Sequence, residues 1–478
     1  MKTSSLIVAA TAAILACAPA HALTGVAQAL SDMRALNLIT LSDYNGGGHD
    51  VEGKAWVGGN LNNGTTIGFG HSANPSQSAA TSSYSTLTVL GNANGNINLD
   101  TGGGVGGNYG ATVVGNLAQI NPNGTNATIT VGGDLGAINI SQNSVVSMGS
   151  YSGSNKLSVA AGSTVYVGSS VNQADNTNGG TLLVRGNIND MQGYSANSVT
   201  KVTGSIGGNG NGISNAPAYV YAGGAIGGAQ NANGNAANVH QNYDYTASGA
   251  VSAPTAPNTP TVMPLSTMTS NMQALSSALL AQNSSNATGS FFAKPGDTQQ
   301  LIIQATSTGT DGVAVINMTQ AELASFSEIN YNFSDPNVVV IINVLSGDPS
   351  ALVNHNATYN FNMNAVGGTG ASTNQQVIWN FADAGTINVN DSEWGSILAP
   401  YATVSNNGNI NGTLVANVFN QSGEVHLGTF DGFSGFLNPN TSSPAPEPAS
   451  WAMMLAGFGG IGAMVRRRRR QGDLAKAA

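Results

Sequence analysis

The stretch that decides the fold is Val113-Val114-Gly115-Asn116, which is followed by Ile129-Thr130-Val131-Gly132-Gly133. Each phrase consists of two or three β-branched or aliphatic residues closed by Gly-Asn or Gly-Gly. Such residues favour strands, and glycine permits the positive backbone angles of a tight corner. Each phrase therefore predicts a short strand that ends in a turn.

The phrase returns through residues 50–228, and from Val114 its starts are spaced 17, 36, 17, 22 and 20 residues. The interval of 36 predicts an unmarked coil in between. A period near 20 is typical of a β-solenoid, in which each coil buries its apolar face only by stacking on its neighbours. We predict a mainly β solenoid, with a β-sandwich as the alternative. Other copies are Trp56-Val57-Gly58-Gly59-Asn60, Val89-Leu90-Gly91-Asn92, Tyr166-Val167-Gly168, Leu183-Val184-Arg185-Gly186, Ile206-Gly207-Gly208 and Ile226-Gly227-Gly228.

The composition of the 478 residues agrees with this prediction. There are 63 Gly and 58 Asn, and only 7% of the residues are charged, against about 25% in a typical soluble domain. Coiled coils and helical bundles need far more charge and leucine, so they are excluded. Because hydrophobic residues make up 41% of the chain, there is enough apolar material for a core, unlike in ordinary disordered proteins.

One segment in the second half has helical periodicity. Its apolar residues fall at spacings of 3 and 4, so they predict a helix over about residues 265–283 that packs along the side of the β body. They are Leu265, Met268, Met272, Leu275 and Leu279. Residues 228–261 contain three prolines and predict a loop or linker. Val338–Leu345 is a run of eight residues, seven of them apolar, which predicts a strand buried on both faces.

The N-terminus predicts a signal peptide over residues 1–22. A lysine, a short apolar run and Ala20-His21-Ala22 fit cleavage after Ala22, which makes the Sec translocon and signal peptidase partners. A weak lipoprotein box around Cys17 is the alternative. Because Cys17 is the only cysteine, cleavage after Ala22 leaves no thiol for disulfides or catalysis.

The C-terminus has three parts in order. A Pro-rich stalk over residues 437–448 ends in Pro446-Glu447-Pro448, an uncharged apolar segment follows over residues 449–465, and residues 466–478 form an Arg-rich tail. Seventeen apolar residues are the lower limit for a single transmembrane helix, and the arginines would lie on the cytoplasmic side. The arginines are Arg466, Arg467, Arg468, Arg469 and Arg470.

This order closely resembles the PEP-CTERM sorting signal of Gram-negative bacteria. The resemblance implies that an exosortase recognises and removes the tail, so that the protein is in the inner membrane transiently and then at the cell surface or in the matrix. A plain C-terminal anchor is the alternative. Removing both ends leaves 6 basic and about 20 acidic residues, so the net charge moves from −9 to about −14. Nucleic acid is therefore not expected as a partner.

Two stretches of the body, over residues 23–436, resemble the choice-of-anchor A family of bacterial surface proteins. The first reads Asp50-Val51-Glu52-Gly53-Lys54-Ala55-Trp56-Val57-Gly58-Gly59, and the second contains Gly395-Ser396-Ile397-Leu398-Ala399-Pro400. The family is regarded as adhesive and carries various C-terminal anchors.

The second stretch also resembles the end of bacterial ice-binding adhesins. That resemblance implies a right-handed, discontinuous β-helix with one helix along its side. Ice-binding faces need ordered threonine arrays, whereas the threonines here look scattered in the sequence, so ice binding is kept as an alternative function. The scattered residues include Thr128, Thr130, Thr164 and Thr181.

Candidate chemical groups are few. His49, Asp50 and Glu52 have a spacing that could serve a metal or an acid–base pair, but they also suit a turn at the start of a coil. Glu424 and His426 alternate on one strand and should share a face.

A third acidic group consists of Asp383, Asp391 and Glu393, which are spread over a hairpin. A polysaccharide-modifying β-helix would need paired acids, and we assemble no convincing pair. We therefore predict no catalytic, cofactor-binding or metal-binding residue, and an exported adhesive protein that contacts extracellular polysaccharide or matrix. The enzyme remains an alternative.

Overall fold

The computed structural model describes residues 25–68, 84–100, 109–208, 218–227, 238–307 and 312–432. Within the described ranges, residues 28–432 form one compact unit. The predicted signal peptide, stalk, apolar segment and arginine tail lie outside the described residues. Among the described residues, no helix has the length and hydropathy needed to span a membrane.

The first half of the unit is built from short strands. They are β1 Leu38–Thr40, β2 Tyr44–Asn45, β3 Asp50–Glu52, β4 Ala55–Val57, β5 Leu61–Asn62, β6 Thr65–Gly68, β7 Leu87–Val89, β8 Ala93–Asp100, β9 Gly110–Val113, β10 Leu117–Pro122, β11 Thr128–Ile138, β12 Val145–Tyr151, β13 Leu157–Ser158, β14 Thr164–Val167, β15 Val171–Asn176, β16 Thr181–Val184, β17 Ile188–Tyr194, β18 Val199–Val202, β19 Tyr219–Ala222 and β20 Val239–His240.

The second half continues in the same way. Its strands are β21 Ala287–Lys294, β22 Asp297–Ser307, β23 Val313–Thr319, β24 Glu328–Phe333, β25 Val339–Leu345, β26 Ala357–Phe361, β27 Asn364–Gly367, β28 Val377–Asn380, β29 Ala384–Val389, β30 Glu393–Trp394, β31 Ser396–Asn406, β32 Ile410–Asn411, β33 Leu414–Gln421 and β34 Val425–His426. Helix α1 covers residues 25–35. The other helices are α2 Leu265–Leu280, α3 Gln320–Leu323, α4 Pro349–Asn354 and α5 Ala371–Gln376.

Nearly all neighbouring strands pair in parallel, one coil above the next. One interior row runs Ala111, Ile129, Val146, Val165 and Leu182, and each residue is in register with the one before it and buried. The parallel ladders confirm the predicted solenoid, and the β-sandwich alternative is wrong. β12 is the unmarked coil predicted in the interval of 36 residues.

The solenoid is discontinuous, because its first strand lies inside the stack. Leu38 in β1 pairs with Ala55 in β4 on one side and with Leu414 in β33 on the other. We call this meeting of the two halves the joint. The order of strands along this face is β23, β25, β28, β31, β33, β1, β4, β7, β9, β11, β12, β14, β16, β18, β19 and β20.

The repeated Gly-Asn turns align as corners of successive coils. The backbone N–H of Asn92 donates to Asn60 Oδ1 at 2.9 Å, and the N–H of Asn116 donates to Asn92 Oδ1 at 2.9 Å. The glycine before each asparagine lies against the coil beneath. A Cβ on Gly115 would be 2.6 Å from the carbonyl oxygen of Gly91, so a side chain does not fit there. The hydrogen bonds to the asparagine side chains and the close packing of the glycines explain why Gly-Asn recurs at the corners.

Helix α2 confirms the predicted flanking helix and ends at Leu280, three residues before the predicted end. Met268, Met272, Leu275 and Leu279 are buried as expected, whereas Leu265 is 38% exposed at the helix start. The helix packs on β25, β28 and β31.

Three asparagines are in register on β23, β25 and β28, and two of them, Asn343 and Asn380, are buried beneath α2. Asn380 Nδ2 donates to the Ser276 carbonyl at 3.0 Å and to Asn343 Oδ1 at 2.9 Å. Asn343 Nδ2 donates in turn to Asn317 Oδ1 at 3.1 Å. The row thus joins successive coils to each other and to the helix.

Between β20 and α2 the chain returns along the outside of the first half. Lys201 Nζ donates to the Ser252 carbonyl at 3.2 Å, and the Leu265 side chain lies beside Gly58. The coils of Lys201 and Gly58 are seven steps apart, which is about 34 Å at the strand spacing. Thirteen residues of extended, proline-containing chain cover about 40 Å, so residues 252–261 of the predicted linker form an extended strap, while residues 228–237 lie outside the described ranges.

A smaller four-stranded sheet consists of β21, β22, β24 and β27. β22, β24 and β27 pair in parallel, whereas β21 pairs with β22 in antiparallel fashion. Helix α1 was not predicted, although Val26, Ala29, Leu30 and Met33 have helical spacing.

Candidate functional site

The first family-like stretch lies at the joint, where it contacts residues 425–427 in and just after β34. Val51 pairs with Val425, and Glu52 Oε2 accepts a hydrogen bond from the N–H of Leu427 at 2.8 Å. Asn37 Nδ2 donates to the His426 carbonyl at 2.8 Å. Asp50, the first residue of the stretch, pairs with Thr66 in the next coil. The first stretch therefore holds the last strands of the solenoid.

The motif glycines occupy positions that exclude a side chain. A Cβ on Gly58 would be 2.6 Å from Leu265 Cδ1, and one on Gly59 would be 2.4 Å from Asp43 Oδ1. Gly53 and Gly395 have φ angles of 83° and 110°, which favour glycine. These four glycines permit close packing and tight backbone turns.

The second stretch supplies both faces of β31. Ile397 and Ala399 point into the solenoid core, while Leu398 lies outside that core cluster and is buried on the face that α2 covers. Ser396 Oγ accepts the N–H of Thr413 at 3.0 Å. Pro400 lies where the register shifts between Ala399 and Thr403, at a corner that needs no ladder N–H.

The His49, Asp50 and Glu52 cluster does not assemble. The His49 side chain is exposed, whereas Glu52 is 5% exposed and bonded to the Leu427 N–H. Within the described ranges, no three His, Cys, Asp or Glu residues are placed to hold a metal ion. These three residues instead belong to the turn and strand β3 that lead into the joint.

Glu424 and His426 do share a face, as predicted. His426 Nε2 is 2.7 Å from Glu424 Oε2, and His426 Nδ1 is 2.8 Å from Asn411 Oδ1. Both ring nitrogens have partners within the chain, and the pair is half-exposed.

The acidic residues of the predicted hairpin do not form a catalytic pair. Asp383 is buried and accepts hydrogen bonds from the Ser346 N–H at 2.8 Å and from the Tyr359 hydroxyl at 2.6 Å. Asp391 is half-buried in the turn before β30. Glu393 is fully buried, so neither it nor Asp383 faces a solvent groove.

Glu393 is buried beside another titratable group. Burial raises the pKa of its carboxyl well above the ordinary value and also that of the neighbouring Tyr331. The Tyr331 hydroxyl oxygen is 3.1 Å from Glu393 Oε1 and 2.8 Å from the Trp394 carbonyl oxygen. With the phenol hydrogen directed to that carbonyl, a protonated Glu393 can donate to the phenol oxygen.

The outer surface carries a ladder of amide side chains that crosses the joint. Asn94 donates to Asn62 at 2.9 Å, Asn62 to Asn45 at 2.9 Å, and Asn45 to Asn420 at 2.8 Å. Asn420 then donates to Ser405 Oγ at 3.3 Å. We call this row the amide ladder. It presents uncharged donors and acceptors at the spacing of the coils, about 4.8 Å.

The threonines are more ordered than the sequence suggests. Thr164 and Thr181 are in register, and Thr130 lies in a row with Thr88 and Thr112. The first row also contains Val145, and the second continues to the fully buried Ser147. These rows therefore do not form one continuous exposed threonine face.

A groove that the sequence did not reveal opens on the outer surface and has a volume of about 530 Å³. It crosses four consecutive coils and is lined by asparagines, isoleucines and one lysine. The lining includes Asn121, Ile138, Asn139, Asn155, Lys156 and Asn178. Only the register of the coils brings these positions together.

The described residues thus form a discontinuous parallel β-solenoid, and the first family-like stretch lies at its joint. The chain belongs to the family described as "Putative Ice-binding-like adhesive domain", whose profile matches residues 29–117 and 156–427. Residues 444–470 match the PEP-CTERM protein-sorting motif. The protein is therefore an exosortase-sorted surface protein of a Gram-negative bacterium. Residues 118–155 lie outside the family match.

Among solved structures, the crystal structure of an ice binding protein from an Antarctic bacterium Flavobacteriaceae is similar to this chain at 13% identity. The similarity covers 83% of this chain and 96% of that chain, with a TM-score of 0.18, which is too low to support any inference. No curated protein matches the chain.

Proposed function

We propose that the protein is a non-catalytic structural or adhesive component of the cell surface or extracellular matrix, associated with exopolysaccharide and biofilm. The observation that carries the proposal is the amide ladder, in a domain of an adhesive family. Its side chains are uncharged and repeat at a fixed spacing. Hydroxyl-rich polymers offer matching donors and acceptors along their length.

The charge of the body also supports an uncharged ligand. A net charge near −14 with about six cations gives no basic patch for phosphates or anionic polymers. Neutral polysaccharide approaches such a surface without desolvating paired charges. Adhesion then comes from many weak polar contacts along the solenoid, whose combined affinity exceeds that of each contact.

The test is a deletion strain compared with its complemented parent. We expect the deletion to reduce surface attachment, flocculation and biofilm mass, and complementation to restore them. Complementation with a chain that lacks residues 444–470 separates sorting from adhesion, since that chain has the solenoid without the signal. Unchanged attachment, flocculation and biofilm in the deletion strain would contradict the adhesive role.

The finer family and the processing of the tail belong to the same proposal. We assign the body to the choice-of-anchor A family on its two motif stretches, and we propose that signal peptidase cuts after Ala22. An exosortase then removes the tail after transient insertion of residues 449–465 in the inner membrane. Mass spectrometry of the mature protein tests this, and a mature form that retains Arg466–Arg470 would contradict removal.

Ice binding is the second candidate, because the family description and the aligned Thr164 and Thr181 favour it. Thermal hysteresis measured on the purified protein tests it. A Thr181→Tyr substitution should abolish any hysteresis that depends on this row.

A further inference from the structure

The groove forms where the parallel ladder splits. Ile138, at the end of β11, pairs with Ile120 in the coil below, but no described strand pairs with it from above. β13 begins with Leu157, which pairs only with Ala174 in the coil above. The chain between Tyr151 and Leu157 forms a loop, whose Asn155 carbonyl accepts the Tyr151 hydroxyl at 3.1 Å. The two coils therefore separate here, and the gap is the groove.

The floor and rim of the groove have different chemistry. Ile138 and Ile140 are half-buried, so they offer a small apolar surface. Asn139, Asn155 and Asn178 are exposed around it. Asn139 is also the last member of its own row, donating to Asn121 Oδ1 at 2.8 Å.

The lining has almost no net charge. Lys156 is its one charged residue among those described, and its Nζ is 2.6 Å from Asp175 Oδ2. Asp175 is largely buried, so it neutralises the lysine without presenting a carboxylate to a ligand. A phosphate or a polyanion gains little here, and so does a cation.

We propose that this groove is a binding subsite for an extended, uncharged polysaccharide chain that runs across the coils. A pyranose ring has one apolar C–H face and a rim of hydroxyls, which match the isoleucine floor and the amide rim. Coils repeat about every 4.8 Å, comparable to one sugar residue of an extended chain. The inference rests on the proposed adhesive function and names its ligand class and place.

The residues that match the family profile do not include most of the groove. Most of its lining lies in residues 118–155, which the family match leaves out, and only Lys156, Ser158, Ala160 and Asn178 lie in the matched part. The groove would thus give this member a ligand preference of its own.

The test is affinity electrophoresis of the purified full-length chain in native gels that contain dextran, galactomannan or alginate. Ser158→Trp places a large ring in the groove from an exposed position on β13. We expect it to weaken retardation by dextran or galactomannan at least about tenfold. Asn172→Trp is the matched control, because Asn172 is exposed on β15 outside the groove, and we expect less than about twofold change.

A second variant covers the case in which Ser158→Trp fails to fold, as judged by thermal unfolding. Asn139→Ala together with Asn178→Ala removes two rim amides and should weaken retardation about tenfold. Wild-type retardation that survives both changes would overturn the groove but leave the adhesive function standing. Absence of retardation of the wild type in every gel would contradict polysaccharide binding itself, and with it the groove.

Discussion

Glu52 Oε2 accepts a hydrogen bond from the backbone N–H of Leu427 at 2.8 Å, although the two residues are 375 positions apart. This bond belongs to the joint at which the last strands meet the first. Both partners are buried. Glu52, one of two acidic residues in the first family-like stretch, thus serves to complete a backbone hydrogen bond in the middle of the stack.

Replacing Glu52 should weaken the joint. Glu52→Ala leaves the Leu427 N–H buried without its acceptor, which costs about 1–3 kcal/mol of unfolding free energy. Glu52→Gln keeps an oxygen acceptor and should cost less. Chemical denaturation of the three proteins measures the difference. Equal stability of the alanine variant and the wild type would contradict a role for this bond in the joint.

The asparagine row should hold helix α2 on the solenoid. Asn380→Ala removes three hydrogen bonds of a fully buried amide, including the one that accepts the Ser276 hydroxyl at 2.7 Å. We expect a loss of about 3 kcal/mol and faster amide exchange in α2. Ser277→Ala, on the exposed side of the same helix, is the control and should change little. Unchanged exchange in α2 would argue against this attachment.

The corner glycines should be intolerant of a methyl group. Gly115→Ala places a Cβ 2.6 Å from the Gly91 carbonyl oxygen, so the coils must shift, at a cost of about 1–3 kcal/mol. In contrast, Gly227→Ala meets nothing closer than 3.7 Å and should be neutral or slightly stabilising. Thermal unfolding of the two variants tests the difference. Similar melting temperatures would mean that the corner does not constrain the coil.

The pH dependence of stability should contain a contribution from Glu393. Burial raises its pKa in the folded protein above the ordinary 4.5, so the native state keeps a proton that the unfolded state releases. Stability from this group is therefore full below about pH 4.5 and falls as the pH rises towards the folded pKa.

Glu393→Gln imitates the protonated carboxyl and removes that loss. We expect the variant to gain stability over the wild type progressively as the pH rises above about 4.5. Denaturation at a series of pH values measures this gain. A stability difference that stays constant with pH would show that Glu393 has the same protonation in both states.

The sequence predicted those parts of the fold that depend on local chemistry. Strand residues followed by Gly-Asn predicted the coils, because each coil of the solenoid has a corner at which only glycine fits. Helical spacing predicted α2, although Leu265 at its start is partly exposed. Thr319 and Glu322 form a capping box at the start of α3, a local device whose spacing is visible in the sequence.

The groove and the amide ladder could not be predicted, because they depend on register. Asn45, Asn62 and Asn420 become neighbours only when the two halves meet. No local sequence pattern predicts that β1 pairs with β33. The threonines looked scattered for the same reason, since their alignment follows from unequal coil lengths. Likewise, Glu52 looked like a possible ligand, although its distant partner makes it structural.

The joint has a consequence for the order of folding. Strands β1 to β20 can stack as they emerge from the ribosome or the translocon, because each new coil pairs with the one before it. β1 itself keeps an unpaired edge until Leu414 has arrived, and such an edge can pair with other chains. Closing so long a loop is an intrinsically slow step. The last strand pairing to form therefore lies inside the stack. The edge of β1 stays exposed for as long as it takes to deliver the chain through Leu414.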